Sequence, residues 1–226
     1  MQHHMAKPAF ITFTGIDSEK IIPGMRYLSA LYPIEWGVLI DPARTGLPLF
    51  PSHAIVEQLR HSGLRLSAHV CGVPAADIAA GGFPSLDLRG FSRIQINHGF
   101  QGSTPEQIAH CKLYAASCGV RPALQCQQGF PDADGVDWLY DVSFGTGVRP
   151  SRWIALNRKN PFCGYSGGLN AATVGSLLES LDVPSGARFW IDMESGIRTE
   201  GVFDLQKCGA VCETVYGPAH GERLWA

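Results

Sequence analysis

Eight short runs of apolar and β-branched residues recur along the chain: AFITFT at 9–14, EWGVLI at 35–40, LRLSAHV at 64–70, RIQIN at 93–97, PALQCQ at 122–127, DWLYDV at 137–142, FCGYS at 162–166 and RFWID at 188–192. They are rich in Ile, Val, Phe and Leu and bounded by Gly, Pro, Asn or Asp, the pattern of strands. Helix-period segments lie between most of them. SHAIVEQLRHSG offers Ser52 as N-cap, apolar residues at 55, 56 and 59, and Gly63 as stop. STPEQIAHCKLYAASCG offers Ser103 or Thr104 as cap, Pro105 in the first turn and Gly119 as stop. LNAATVGSLLESL starts a helix at Asn170, and TEGVFDLQKCGAVCETV supplies the last one.

Strands that alternate with helices pair in parallel through right-handed crossovers. Eight such units in 226 residues predict an α/β fold, a single (β/α)8 TIM barrel at the compact end of its size range. The rival, a doubly wound open sheet, usually carries a glycine-rich phosphate turn after its first strand. Here that strand leads into TGIDSEKIIPGM, which lacks G-x-G-x-x-G. Two units are thin: QGFPDADG leaves little room for a fifth helix, and SRWIALNRK allows only a short sixth. Both are expected to be short or irregular. The barrel is expected over residues 9–226, with 1–8 as a tag or disordered N-terminus in which His3 and His4 read as a tag remnant.

Charge narrows the partners. With 18 basic and 20 acidic residues the formal net charge is −2 at pH 7, against nucleic-acid binding, which needs Lys and Arg to neutralise phosphates. Arg149, Arg152, Arg158 and Lys159 cluster locally and read as a solvated loop. No apolar run approaches the ~18 residues of a bilayer span, and the start of the chain has no signal-peptide architecture. The cysteines, at 71, 111, 118, 126, 163, 208 and 212, form no C-x-x-C pair, so neither a zinc ribbon nor a disulfide framework is indicated. These features predict a cytoplasmic protein with reduced thiols. No cofactor, metal, nucleic acid or membrane is expected as a partner, and the oligomeric state is left open.

Candidate chemistry gathers at the late strand ends. SGGLN follows the seventh strand and DMESGIRTEG the eighth, where such barrels often hold a phosphate. Gly167, Gly168, Ser195 and Gly196 are the phosphate-binding candidates, because glycine exposes N–H groups with no Cβ in the way and a helix start adds unpaired donors. A tight strand-to-helix turn is the plainer use of the same glycines.

YSGGLNAATV and WIDMESGIRTEGVFDLQKC resemble the last two βα units of the phosphoribosylanthranilate isomerase family, which read strand-SGGLNPENV, then strand-DVSSGVE and a helix after G-x-K-D. ITFTGID (11–17) stands where that family has a strand ending in K-I-C-G-I, and IQINHG (94–99) resembles its Q-L-H-G. WLYDVSFGTGVRPSRW (138–153) resembles its sixth-strand segment, so the resemblance covers nearly the whole chain. It implies an Amadori-type aldose-to-ketose isomerisation of a phosphorylated sugar derivative, in tryptophan biosynthesis or a divergent relative. That chemistry needs an acid for the ring oxygen and a base for the C2′ proton, with a phosphate grip to place the sugar. The resemblance puts the acid at Asp141, whose pKa burial would have to raise, with a carboxylate that caps the next loop as the alternative. It makes Asp192 and Glu194, on one side of the last strand, candidates for substrate hydroxyls, with a structural backbone bond as the alternative for Asp192. His98 matches the family histidine after strand four, as a substrate contact or a structural hydrogen-bonder.

Two departures matter. Thr14 stands in the position of the family's catalytic cysteine, and a threonine hydroxyl does not ionise as a thiol does without an adjacent base. Cys71, His69, Asp17 and His98 are the substitutes for the base, with Cys71 the right chemistry unless it is a buried, inert thiol. The family's arginine for the aromatic carboxylate has only Arg44 to match it, several positions early; Arg44 either reaches a carboxylate or pairs with Asp41. The chain is therefore read as an isomerase-like enzyme, with two alternatives. One is a non-catalytic phosphate-ester-binding barrel. The other is a metal-dependent sugar-phosphate epimerase, to whose ligands Asp41 and His69 are similar but whose seventh strand would need more than Tyr165.

Overall fold

The computed structural model describes residues 6–99, 102–143, 145–156 and 161–219; His3, His4, Arg158 and Lys159 lie outside them. Each apolar run contains one strand: β1 Ile11–Thr14, β2 Ile34–Ile40, β3 Leu66–Val70, β4 Phe91–Ile96, β5 Arg121–Cys126, β6 Asp137–Tyr140, β7 Cys163–Tyr165 and β8 Phe189–Met193. They pair in parallel in sequence order, and β8 returns to β1 to close the barrel.

Alternation along the strands sorts their side chains into two sets. Ile11 and Phe13, Trp36 and Val38, Ile94 and Ile96, Trp138, Tyr165, Phe189 and Ile191 join one continuous core outside the barrel wall. The opposite parity holds most of the buried polar residues: Thr12, Thr14, Glu35, Ser67, His69, Arg93, Gln95, Asp137, Asp141 and Asp192. Arg93 on β4 reaches Glu35 on β2 at 2.6 Å and Asp137 on β6 at 3.5 Å. Those strands are not neighbours, so these contacts cross the interior. Branched aliphatic residues usually fill that space. Here an ion network occupies its N-terminal end, extended by Arg65 to Glu35 at 3.0 Å and Arg121 to Asp137 at 2.6 Å. Phe10, Leu139 and Trp190 form a small apolar cluster of their own, and the Arg93 guanidinium lies 4.3 Å from the Trp190 ring.

Helices surround most of the barrel: α1 Ile22–Leu31, α2 His53–Arg60, α3 Gly72–Ala79, α4 Pro105–Ser117, α5 Val174–Ser180 and α6 Leu205–Tyr216. Ser52 caps α2 as its sequence predicts. Of the two candidate caps for α4, Thr104 is the one used, in a capping box with Gln107, while Ser103 bonds His98. The seventh helix unit starts later than expected. The Asn170 side chain accepts from the N–H groups of Ala172 and Thr173, making a local turn that delays α5. Ahead of α6, capped by Asp204, the chain folds into a two-stranded ribbon of β9 Arg198–Thr199 and β10 Val202–Phe203.

No helix joins β5 to β6, and among the described residues none joins β6 to β7. Interlocked rings cover the wall there. Phe130 meets Tyr165 edge-on at 5.4 Å, and Trp153 meets Tyr140 and Tyr165 at 6.2 and 6.0 Å. Edge-to-face packing of large rings buries the area that a helix would otherwise cover.

Candidate active site

A cavity of about 540 Å³ opens among the C-terminal strand ends. Asp141, Cys71, Arg44, His98, Asp192, Glu194, Gly167, Gly168 and Ser195 all line it, so residues spread from 44 to 195 meet in one place. Thr14 and Gly196 stand behind its surface. Gln125, Asn97 and Ser143 also line it, and the sequence reading missed them. Their signal is positional only, since each sits at or just past a strand end.

Asp192 is the most perturbed carboxyl in the cavity wall. It is buried, and burial pushes its pKa up to about 7, helped by the negative charges of Asp141 and Glu194. The Thr14 hydroxyl donates to Asp192 Oδ1 at 2.8 Å, which together with Arg93 acts in the opposite direction. Thr14 does not line the cavity, and its hydroxyl is spent on holding Asp192. Gly37, across from Thr14 in the β1–β2 register, leaves the space: a Cβ there would overlap the Thr14 hydroxyl and crowd His69. Replacing Thr14 by valine removes a donor from the ionised carboxylate. Asp192 should then hold its proton to a higher pH, measurable by carboxyl NMR titration. An unchanged titration would show that the bond does no electrostatic work.

Asp141 accepts from Gln125 Nε2 at 3.0 Å and from both the backbone N–H and the hydroxyl of Ser143 at 2.8 Å. Its oxygens therefore serve as acceptors to three donors. Burial raises the Glu194 pKa as well. Beside Asp141 the cavity thus holds two carboxyl groups, Asp192 and Glu194, whose ionisation burial opposes.

The expected substitutes for the base divide. Burial pushes the Cys71 thiol up and outweighs the opposite pull of Asn97 Nδ2, which donates to its sulfur at 3.3 Å, so it remains a thiol at neutral pH rather than a reactive thiolate. His69 is buried and driven down to about 3 by burial and by Arg93; it pairs with Ser67 at 3.1 Å as a neutral ring. His98 is lowered by burial and held by Ser103. Asp17 lies away from the cavity, paired to Arg198 at 2.5 Å. Arg44 reaches the cavity but stands 3.4 Å from Asp41 and 4.7 Å over the Phe50 ring.

The two glycine bends touch. A Cβ on Gly196 would overlap the Leu169 carbonyl oxygen, so Gly196 serves the contact between the bends and does not itself face the cavity. Gly167 and Gly168 have φ of +116° and +61°, and a Cβ on Gly168 would stand 2.9 Å from the Gly147 carbonyl oxygen. The close backbone approach those glycines permit is thus to the 147–150 segment of the same chain. Among the described residues no acceptor takes the Gly167 or Gly168 N–H, and both remain at the cavity wall beside Ser195.

Fold and cavity define a TIM barrel with a polar, carboxyl-rich pocket at its C-terminal mouth. Comparison with solved structures finds the same fold in N-(5'-phosphoribosyl)anthranilate isomerase from Pyrococcus furiosus, at 13% identity and TM-score 0.56, covering 91% of this chain and 98% of that one. The phosphoribosyl anthranilate isomerases from Thermus thermophilus and Thermococcus kodakaraensis match at the same identity and score, over 90% and 93% of this chain and 96% and 100% of theirs. At that identity the likeness establishes the barrel. No protein-family model matches the sequence, and no curated protein matches it. No helix among the described residues is long and apolar enough to cross a membrane, and no group of three or more His, Cys, Asp or Glu among them could hold a metal ion.

Proposed function

We propose that the chain is an isomerase of a phosphorylated aminoaldose derivative, working through an Asp141–Asp192 proton pair in place of a thiolate. The observation that carries this reading is a buried carboxyl poised at about pH 7 in the same cavity wall as two glycine bends. The N–H groups of Gly167, Gly168 and Ser195 take the phosphate, which fixes the sugar between the carboxyls. Asp192, protonated over a wide range, gives its proton to the ring oxygen. Asp141, already an acceptor, removes the C2′ proton of the Schiff base. This reverses the expected role of Asp141 and removes the need for a base at position 14. Because Arg44 is engaged by Asp41, the aglycone is not restricted to an aromatic carboxylate, and the tryptophan-pathway substrate is one member of the class to test.

Thr14, tied to Asp192 where the resembling family has its cysteine, also favours a second reading: a phosphate-ester-binding barrel without turnover. The metal-dependent reading lacks a ligand cluster among the described residues. Incubation with phosphoribosylanthranilate, followed by loss of anthranilate-type fluorescence, separates the two that remain. Turnover that disappears in Asp141→Asn is expected. Binding without turnover across a panel of phosphorylated aminoaldoses would favour the second reading.

A further inference from the structure

At the other end of the barrel lies a second cavity of about 530 Å³, lined by Phe10, Arg65, Arg93, Arg121, Phe162 and Arg188 among others. Four guanidinium groups face one space. Among the described residues two carboxylates answer them, Glu35 and Asp137; Asp137 also lines the cavity, and both are engaged by Arg65, Arg93 and Arg121. Arg188 has no carboxylate partner among the described residues and is only 5.8 Å over the Phe162 ring. Arg93, 4% exposed at its side chain, leaves its buried Nε without a hydrogen-bond partner. An unpaired buried donor of a charged group carries a desolvation penalty that its ion pairs do not relieve, so the Arg93 charge is incompletely satisfied within the barrel. The excess of two positive charges, held at a pocket with aromatic walls, is a feature that fold closure alone does not require.

We propose that this N-terminal-face cavity is a second binding site, for a small organic dianion such as a phosphate monoester or a dicarboxylate. Arg121, about half exposed, and Arg188, also exposed, engage its charged oxygens, since guanidinium matches phosphate and carboxylate with paired N–H donors. Arg93 supplies the field from beneath. The Phe162 ring, partly exposed and packed on Phe10 at 5.6 Å between centroids, offers one apolar wall to the ligand. The site is at the opposite end of the barrel from the carboxyl-rich cavity, and it stands or falls independently of the isomerase reading.

Arginine-selective labelling with phenylglyoxal, mapped by peptide mass spectrometry on the full chain, reads this face alone. Inorganic phosphate or succinate should slow labelling of Arg121 and Arg188 together, and sodium chloride at equal ionic strength should not. The better protector of the two identifies the ligand class. Arg188→Ala, which breaks no ion pair, should weaken the protection of Arg121 about tenfold, the loss of one charge-assisted contact. Equal labelling with and without the dianions, or equal protection by sodium chloride, would overturn the proposal. So would protection of Arg121 that persists undiminished in Arg188→Ala.

Discussion

Asp192→Asn should lower kcat by about 10²–10⁴-fold, the range for losing a positioned general acid or base, with the fold intact. Asparagine keeps the shape, and its carbonyl oxygen can still accept from Thr14, so the Oδ1 contact at 2.8 Å survives. What it cannot do is donate a proton at neutral pH. The same change should alter stability in a definite direction. The folded pKa of Asp192 is raised from 3.8 to about 7, so the folded state binds more protons than the unfolded chain across that interval. Stability from this group is complete below the unfolded value and is lost as pH rises through the folded one. The asparagine variant has no such loss. Its melting temperature should exceed that of the unaltered protein above neutral pH, by an amount that shrinks toward acid. Full activity in Asp192→Asn, or an identical pH dependence of melting, would remove Asp192 from the mechanism.

Arg93→Met should destabilise the barrel by about 3–5 kcal/mol, the cost of leaving buried charges without their partner. Glu35 is fully buried and Asp137 nearly so, and Arg93 is the one residue that touches both. Methionine fills much of the volume but leaves Glu35 with Arg65 and the Thr12 hydroxyl, and Asp137 with Arg121, each of these two arginines being about half exposed. Burial already pushes the Asp137 pKa up, against the pull of Arg93 and Arg121. Without Arg93 that shift grows, and the carboxyl can escape its penalty by binding a proton. The loss in stability should therefore be larger in mildly alkaline buffer than in mildly acidic buffer, as chemical denaturation at the two pH values would show. A loss below about 1 kcal/mol, the median worth of an exposed ion pair, would mean that the network is solvated and not a core.

Both predictions rest on the polar interior, the part of the fold least legible in the sequence. The strands were legible because their outward positions, such as Ile11, Phe13, Trp36 and Val38, form apolar runs between turn residues. Their inward partners read as interruptions or boundaries. Glu35 and Asp137 look like the polar edges of their runs, yet both are buried. Nothing local to Thr14 announces its bond to a residue 178 positions away; only barrel closure, which sets β1 beside β8, creates it. The candidate site was legible to the extent that strand ends are. Asp141, Asp192, Cys71 and the glycine bends fell into one cavity because a barrel brings all its C-terminal strand ends together. Roles were less legible than places. Cys71 has the right element but the wrong surroundings, and Gly196 serves the Leu169 contact. The late start of α5 follows from the Asn170 turn, which periodicity alone does not register.

The most direct test of the account is a crystal structure with a phosphorylated aminoaldose bound. The account predicts the phosphate within hydrogen-bond reach, ~3 Å, of the Gly167, Gly168 and Ser195 N–H groups, with the reacting carbons between Asp141 and Asp192. A phosphate held elsewhere, or a sugar that leaves both aspartates out of contact, would contradict it.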